Sequence, residues 1–189
     1  MNGSVYFAGD TDTPPGGTAN AVANDLNIAW NQGMGMGDTF PVGSLAGQLG
    51  GPGPVGKIIV PGVYEEGAAL LLSAGFVATF DGQNLPNPVF IIKVGSDFSD
   101  VGTILLPSQI KLINGAVAKN IWFVVQRDVT IGSGTIWNGN ILAGRTVTIN
   151  NGSTVNGRVL AGASLIATSA VTLTGTPAAL GPTTTISVP

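Results

Sequence analysis

Hydrophobic residues recur at three- and four-residue spacing in one stretch alone, from about Thr18 to Asn31. Such a stripe predicts a single amphipathic α-helix. The residues that form the stripe are Ala19, Val22, Ala23, Leu26, Ala29 and Trp30. Thr18 suits the N-cap position, Pro14 and Pro15 end whatever precedes it, and Gly33 is expected to terminate the helix.

The pattern changes twice after this helix. Residues 33–56 are rich in glycine and contain three prolines, which predicts a long loop over the surface. From Lys57 onward, short runs of Val, Ile, Leu and Thr alternate with Gly, Asn, Asp and Pro. This texture predicts many short strands, each followed by a turn.

The strand pattern repeats with a period of 18 residues. Val129-Thr130-Ile131 returns as Val147-Thr148-Ile149. Further matches at this offset pair Gly134-Thr135 with Gly152-Ser153, Asn138-Gly139 with Asn156-Gly157, and Ile141–Gly144 with Val159–Gly162. Such a period is typical of a solenoid. We therefore predict a mainly β protein, a right-handed parallel β-helix with coils of about 18–20 residues and one helix alongside.

The predicted organisation is a single domain over residues 1–189, with solenoid coils at 57–174 and a strand-like tail at 175–189. Alternation along the strands assigns each side chain a direction. The side chains expected to point inward are Ile141, Val147, Ile149 and Val155. Those expected to point outward are Thr146, Thr148 and Thr154. Trp122 and Trp137 are expected in the core or facing the helix.

Composition removes most catalytic chemistry. The chain has no His and no Cys, so it cannot build a Ser-His-Asp triad, a Cys-His pair or a His/Cys zinc site. Charged residues make up 9% of it and the net charge is −3, which does not suit nucleic-acid binding. No apolar run reaches the roughly 18 residues of a membrane span. The first residues lack signal-peptide features, so any secretory signal has been removed or was never present.

Few charged groupings could carry chemistry. The carboxylate groupings are Glu65-Glu66, Asp97 with Asp100, and Asp10 with Asp12. None has a basic partner on an adjacent predicted coil, so we expect no enzyme, no metal site and no cofactor. Arg127 and Arg145 lie 18 residues apart and are expected to stack at a solvated corner, with Asp128 as a local partner.

A series of short motifs resembles one known family. In chain order the motifs are Pro61-Gly62-Val63-Tyr64, Asp81-Gly82-Gln83, Asn87–Ser96, Leu112–Ala116, Lys119–Trp122, Gly139–Ala143 and Asn156–Ala161. Together they resemble the ice-binding proteins of cold-adapted bacteria, fungi and algae. The resemblance implies a β-solenoid with one long α-helix, and a flat face that binds ice or ordered water.

Family members often carry Thr-Ala/Gly-x-Thr/Asn in each coil of that face. The counterparts here are Ser133-Gly134-Thr135-Ile136 and Asn151-Gly152-Ser153-Thr154. Ile136 stands where a hydroxyl is expected, which predicts weak or absent activity. Thr130 and Thr148, with Thr172, form a second outward column. The candidate ice-contacting residues are Ser133, Thr135, Asn151, Ser153, Thr154, Thr130 and Thr148. Threonine also suits exposed strand positions by β-propensity alone.

The sequence departs from the family at both ends. Members usually carry a few dozen more residues before the helix, so one end of the solenoid is expected to lack its cap. Open solenoid ends favour pairing with another copy. The alternative hypothesis is therefore a subunit of an extracellular filament or virion surface. The residues expected to mediate this assembly are Thr183, Thr184, Thr185, Ile186 and Val188. Both hypotheses place the protein outside the cell or at its surface.

Overall fold

A computed structural model describes residues 18–174, 177–179 and 183–186 of the chain, and side chains from 26 to 174. It contains the helix α1 (Thr18–Met34), eighteen short strands and a 3-10 turn at Ala118–Asn120. Every pairing between strands is parallel, and the strands form three six-stranded sheets. The structure confirms the predicted mainly β solenoid with a helix alongside.

Each coil of the solenoid contributes one strand to each sheet in turn. Sheet 1 contains β1 (Lys57–Ile59), β4 (Val77–Asp81), β7 (Gln109–Ile113), β10 (Ile136–Asn138), β13 (Thr154–Asn156) and β16 (Thr172–Leu173). Sheet 2 contains β2 (Gly62–Glu66), β5 (Phe90–Val94), β8 (Ile121–Val125), β11 (Asn140–Ala143), β14 (Val159–Ala161) and β17 (Pro177–Ala179). Sheet 3 contains β3 (Leu70–Leu72), β6 (Phe98–Asp100), β9 (Val129–Ile131), β12 (Val147–Ile149), β15 (Ser164–Ala167) and β18 (Thr183–Ile186).

The core lies inside the coils. In the first four coils it is aromatic: Trp137 packs on Phe123 at 4.4 Å and on Phe98 at 5.2 Å between ring centroids. Later coils fill the same space with aliphatic side chains. The four residues predicted to point inward are fully buried: Ile141, Val147, Ile149 and Val155. Trp137 lies in this core, whereas Trp122 lies half-buried on the outer side of sheet 2, near the helix.

Helix α1 packs against the outside of sheet 2, on β5, β8 and β11. The indole Nε1 of Trp30 donates to the Val125 carbonyl oxygen at 3.0 Å. The helix continues to Met34, so the prediction that Gly33 ends it is wrong. Gly33 is needed for packing, because a Cβ there would lie 2.8 Å from Val124 Cγ2.

Residues 41–56 form a cap over the first coil. The predictions of a long loop over the surface and of a solenoid end without a cap are therefore wrong. Leu45 and Leu49 are buried in the core. The buried carboxylate of Glu66 accepts from the backbone N–H of Leu45 at 2.7 Å and of Gly47 at 3.2 Å. Short bridges join this segment to the first coils, so its backbone groups satisfy the exposed edge. The cap was missed because its contacts are irregular and distant in sequence.

A buried lysine fixes the segment between helix and cap. The Nζ atom of Lys93, on β5, lies 2.7 Å from Asp38 and 2.6 Å from Glu65, and donates to the Met36 carbonyl at 2.8 Å. Burial opposes the charged form of Lys93, but its hydrogen bonds to the two carboxylates outweigh that effect and raise its pKa above the usual value. The lysine therefore remains charged and holds three segments together.

Within the described residues, no helix is long and apolar enough to cross a membrane.

Candidate functional site

The solenoid leaves two of its three sheets open on the outside, because α1 covers sheet 2. On sheet 1, the cap reaches over the first coils: Thr79 donates to the Val55 carbonyl and Lys111 to the Pro54 carbonyl. Thr79 is buried as a result. The open surface of sheet 1 is therefore that of its last three strands, β10, β13 and β16.

Nine outward residues form a grid on this part of sheet 1, and we call it the polar array. It has three residues in each of three coils: Ser133, Ile136 and Asn138; Asn151, Thr154 and Asn156; Ser169, Thr172 and Thr174. The register places Ile136, Thr154 and Thr172 in one column and Asn138 beside Asn156 in the next. None of the nine carries a charge, and all are partly or fully exposed.

Side-chain hydrogen bonds run along the array from coil to coil. Asn138 Nδ2 donates to the Ile110 carbonyl at 2.6 Å, and Asn156 Nδ2 donates to Asn138 Oδ1 at 2.9 Å. Thr174 Oγ1 continues the ladder by donating to Asn156 Oδ1 at 3.2 Å. These bonds fix side chains that would otherwise sample several rotamers. The array is thus held in register by its side chains as well as by its backbone.

The structure brings three of the predicted site residues into the array: Ser133, Asn151 and Thr154. Thr135 and Ser153 are fully buried, so the prediction that they contact an external surface is wrong. The glycine before each has a positive φ, 70° at Gly134 and 71° at Gly152, which breaks the alternation of side chains at the corner. Ser153 Oγ instead donates to the Gly132 carbonyl at 2.6 Å.

Thr135 belongs to a buried clamp built around Asp100. One oxygen of this carboxylate accepts from Gly102 N at 2.8 Å. The other accepts from Gly132 N at 2.9 Å and from Thr135 Oγ1 at 2.6 Å. The clamp joins the end of β6 to the corner of the next coil. Its role is to fix that corner, which leads directly into the array.

Thr130 and Thr148 lie side by side on sheet 3, a different face of the solenoid from Thr154. The expectation that Thr172 continues their column is wrong, because Thr172 pairs with Thr154 on sheet 1. On sheet 3 the next residue in the threonine column is Ile166. An adjacent column carries Asp128, whose carboxylate accepts from Thr146 N at 2.9 Å. Sheet 3 is therefore charged along one side, unlike the array.

Sequence reasoning missed one coil of the array. Ser169-Ala170-Val171-Thr172 follows Asn151-Gly152-Ser153-Thr154 at the same 18-residue offset as the earlier repeats. Ser169 Oγ lies 3.5 Å from Asn151 Oδ1, as expected of stacked equivalents. The offset could have placed this coil on the same face as Thr154, but Thr172 was assigned to the column of Thr130 and Thr148 instead.

Two exposed arginines make ion pairs between coils. Arg145 Nη1 lies 3.9 Å from Asp128 Oδ2, and Arg127 Nε lies 3.6 Å from Asp97 Oδ1, so each of these two arginines pairs with an aspartate of the preceding coil. Over the described residues there is no group of three or more potential metal-ligating side chains. Asp10 and Asp12 lie outside those residues.

The tail is paired within its own chain. Four of the five residues predicted to mediate assembly, Thr183 to Ile186, form β18 and pair in parallel with β15. The strand thus extends sheet 3 by one coil, which supplies the partner that the tail was expected to seek in another molecule. Val188 lies outside the described residues.

Comparison with known sequences gives a consistent set of relatives. A family model described as "Ice-binding-like" matches residues 1–177. Ice-binding protein 1 of Shewanella frigidimarina is 31% identical over 154 residues, which cover 76% of this chain and 16% of that protein. An ice-binding protein of Leucosporidium sp. is 35% identical over 142 residues, covering 75% of this chain and 49% of that protein. The chain spans less than half the length of these relatives.

Solved structures show the same architecture. The structure of an ice-binding protein from an Arctic yeast superposes with a TM-score of 0.64 at 25% identity, covering 95% of this chain and 69% of that one. A domain of Shewanella frigidimarina ice-binding protein 1 gives 0.62 at 25% identity, covering 94% and 73%.

Proposed function

Because the chain belongs to the ice-binding-like family, we propose that it adsorbs to ice or ordered water through the polar array on sheet 1. The observation that carries this proposal is the array itself: an exposed, uncharged grid of hydroxyl, amide and methyl groups repeated over three coils in strict register.

The spacing of the grid suits a periodic ligand. Parallel strands place equivalent residues about 4.8 Å apart from coil to coil, and alternate residues of one strand lie about 6.6 Å apart. A surface that repeats in two directions can hold waters at repeated positions, which a single binding pocket does not do. Equivalent side chains such as Thr154 and Thr172 then meet equivalent sites on the solid.

The chemistry of the grid suits water that is already ordered. Threonine presents a methyl and a hydroxyl on a side chain that is stiff at χ1, so little entropy is lost when it is fixed. The asparagine ladder removes further freedom before any contact is made. Charged groups would hold their own hydration shells, and the array has none.

Ile136 leaves the first row of the array with two polar side chains, whereas each of the other two rows has three. It is 43% exposed and offers only hydrocarbon in the column of Thr154 and Thr172. Adsorption should therefore depend mainly on the rows that contain these two threonines. This predicts a modest activity, in keeping with the expectation drawn from the sequence.

Two matched lysine substitutions test the proposal. Thr154→Lys places a charge at the centre of the array, whereas Thr148→Lys places the same charge at an outward strand position of sheet 3 that is likewise partly exposed. We expect Thr154→Lys to abolish the partition of the protein into a growing ice hemisphere and the shaping of ice crystals. Thr148→Lys should retain both, and both variants should keep the wild-type melting temperature within a few degrees.

The reverse result would assign the function to sheet 3 and its Thr130 and Thr148 column. A wild-type protein that is excluded from ice as completely as a non-binding control of equal size would refute ice binding altogether.

We further propose that the protein is not an enzyme and that it acts as a monomer. The array needs no second chain to be complete, and sedimentation at micromolar concentration should show a single species of about 19 kDa. We place the protein outside the cell or at its surface, since a protein that adsorbs to extracellular ice has to reach it. Fractionation of the source cells checks this location.

A further inference from the structure

An apolar loop lies at the corner before β7, outside the polar array. Eight residues, 101–108, separate β6 from β7, whereas four separate β9 from β10 and β12 from β13 at the equivalent corners. The additional residues are uncharged and include three consecutive aliphatic side chains, Ile104, Leu105 and Leu106. We call residues 103–107 the apolar lip.

The lip is fixed in place by its backbone. Thr103 and Leu106 exchange two hydrogen bonds, of 3.1 Å and 3.0 Å, which close a tight turn. The Leu106 carbonyl also accepts from Gly75 N at 3.1 Å in the preceding coil, and Ser133 N donates to the Gly102 carbonyl at 2.8 Å in the next. The loop is therefore tied to the coils on both sides.

The side chains of the lip are held in water. Leu105 is 96% exposed, and Ile104 and Leu106 are each just over half exposed. Isolated exposed aliphatic residues are common, but a contiguous group on an ordered turn usually marks a contact surface. Nothing in the packing of the solenoid requires Leu105 to be apolar.

The lip borders the polar array. A Cβ on Gly152 would lie 2.8 Å from Ile104 Cδ1, and one on Gly134 would lie 3.5 Å from the same atom. Ile104 thus lies next to the two corner glycines that directly follow Ser133 and Asn151. The hydrocarbon of the lip and the first column of the array form one continuous surface.

We propose that the apolar lip is part of the ice-contacting surface, and that Leu105 gives up its contact with liquid water when the array adsorbs. This inference rests on the proposed function of the array. Transfer of a leucine side chain out of water favours binding, so the loss of Leu105 should weaken adsorption about tenfold.

The test compares three variants of the full chain in ice partition and in crystal shaping. Leu105→Ser removes the exposed hydrocarbon at the lip, and Leu105→Met restores an apolar side chain of similar size. Ile28→Ser removes an aliphatic residue that is 55% exposed, much as Ile104 and Leu106 are, from α1, which covers sheet 2. We expect about tenfold weaker adsorption for Leu105→Ser, and wild-type adsorption for Leu105→Met and Ile28→Ser. Melting curves confirm that each variant is folded.

Two results would overturn the inference while leaving the array intact as the ice-binding site. One is wild-type adsorption by Leu105→Ser. The other is a concentration-dependent dimer of the wild type that Leu105→Ser abolishes, which would assign the lip to a second copy of the chain. If the wild-type protein itself does not enter ice, the proposed function fails and the inference fails with it.

Discussion

Replacement of Asp100 by asparagine should destabilise the protein far more than its size suggests. The carboxylate is buried and accepts three hydrogen bonds, one on Oδ1 from Gly102 N and two on Oδ2 from Gly132 N and Thr135 Oγ1. Asparagine has one acceptor oxygen and one NH2 group. Whichever way the amide is turned, its NH2 group faces at least one backbone N–H that has lost its acceptor.

The expected cost follows from the number of bonds lost. A hydrogen bond to a charged group contributes about 1.5–3 kcal/mol, and a buried donor left without an acceptor adds a penalty. Loss of one or two such bonds should lower the free energy of unfolding by roughly 2–5 kcal/mol. For a chain of this size, this corresponds to a fall in Tm of about 5–15 °C.

Differential scanning calorimetry on three variants measures these changes in Tm and in the free energy of unfolding. Thr135→Val removes a single donor from the clamp, so its loss should be smaller, about 1–3 kcal/mol. Asp97→Asn is the matched control, because Asp97 is about a third exposed, and asparagine can still accept from Asp128 N. Its cost should be below about 1 kcal/mol. If Asp100→Asn melts within about 2 °C of the wild type, the clamp does not stabilise the corner as the hydrogen bonds imply.

The cap and the buried lysine give two further predictions. Leu49→Ala should lower the free energy of unfolding by about 2–5 kcal/mol in urea titrations, because Leu49 is fully buried, whereas Leu85→Ala, at an exposed corner, should cost about 0.5 kcal/mol or less. The pKa of Lys93 is raised in the folded state. The contribution of its ion pairs to the free energy of unfolding is therefore complete below the unfolded pKa of 10.5 and is lost as pH rises through the folded pKa. Lys93→Met should therefore be less stable than the wild type near neutral pH, with the difference shrinking above about pH 10.5; a difference that stays constant with pH would contradict this origin.

The solenoid could be predicted from the sequence because its contacts repeat. One offset of 18 residues is enough to stack Val129–Ile131 on Val147–Ile149, and the register in the structure matches this alignment. Strand alternation then gives the direction of most side chains, as at Val147, Thr148 and Ile149. These features are local, and each coil repeats them.

The parts that could not be predicted depend on contacts that do not repeat. The cap buries Leu45 and Leu49 in the core, but the segment that carries them is irregular and contacts residues of the first coils that are distant in sequence. At the corners, the positive φ of Gly134 and Gly152 turns the following side chains inward, so Thr135 and Ser153 do not lie on the outer surface where the resemblance to the family motif had placed them. The lip could not be predicted either, because a short apolar run in a sequence is equally consistent with a buried strand.

The asparagine and threonine ladder on sheet 1 has a particular value at the temperature at which the protein would meet ice. Burial of apolar side chains contributes less to stability on cooling, so the aliphatic core of the last coils holds them together less firmly near 0 °C than at room temperature. The hydrogen bonds that join Asn138, Asn156 and Thr174 do not weaken in this way. In the cold, the array should therefore owe a larger share of its order to the polar groups that compose it than to the core beneath it.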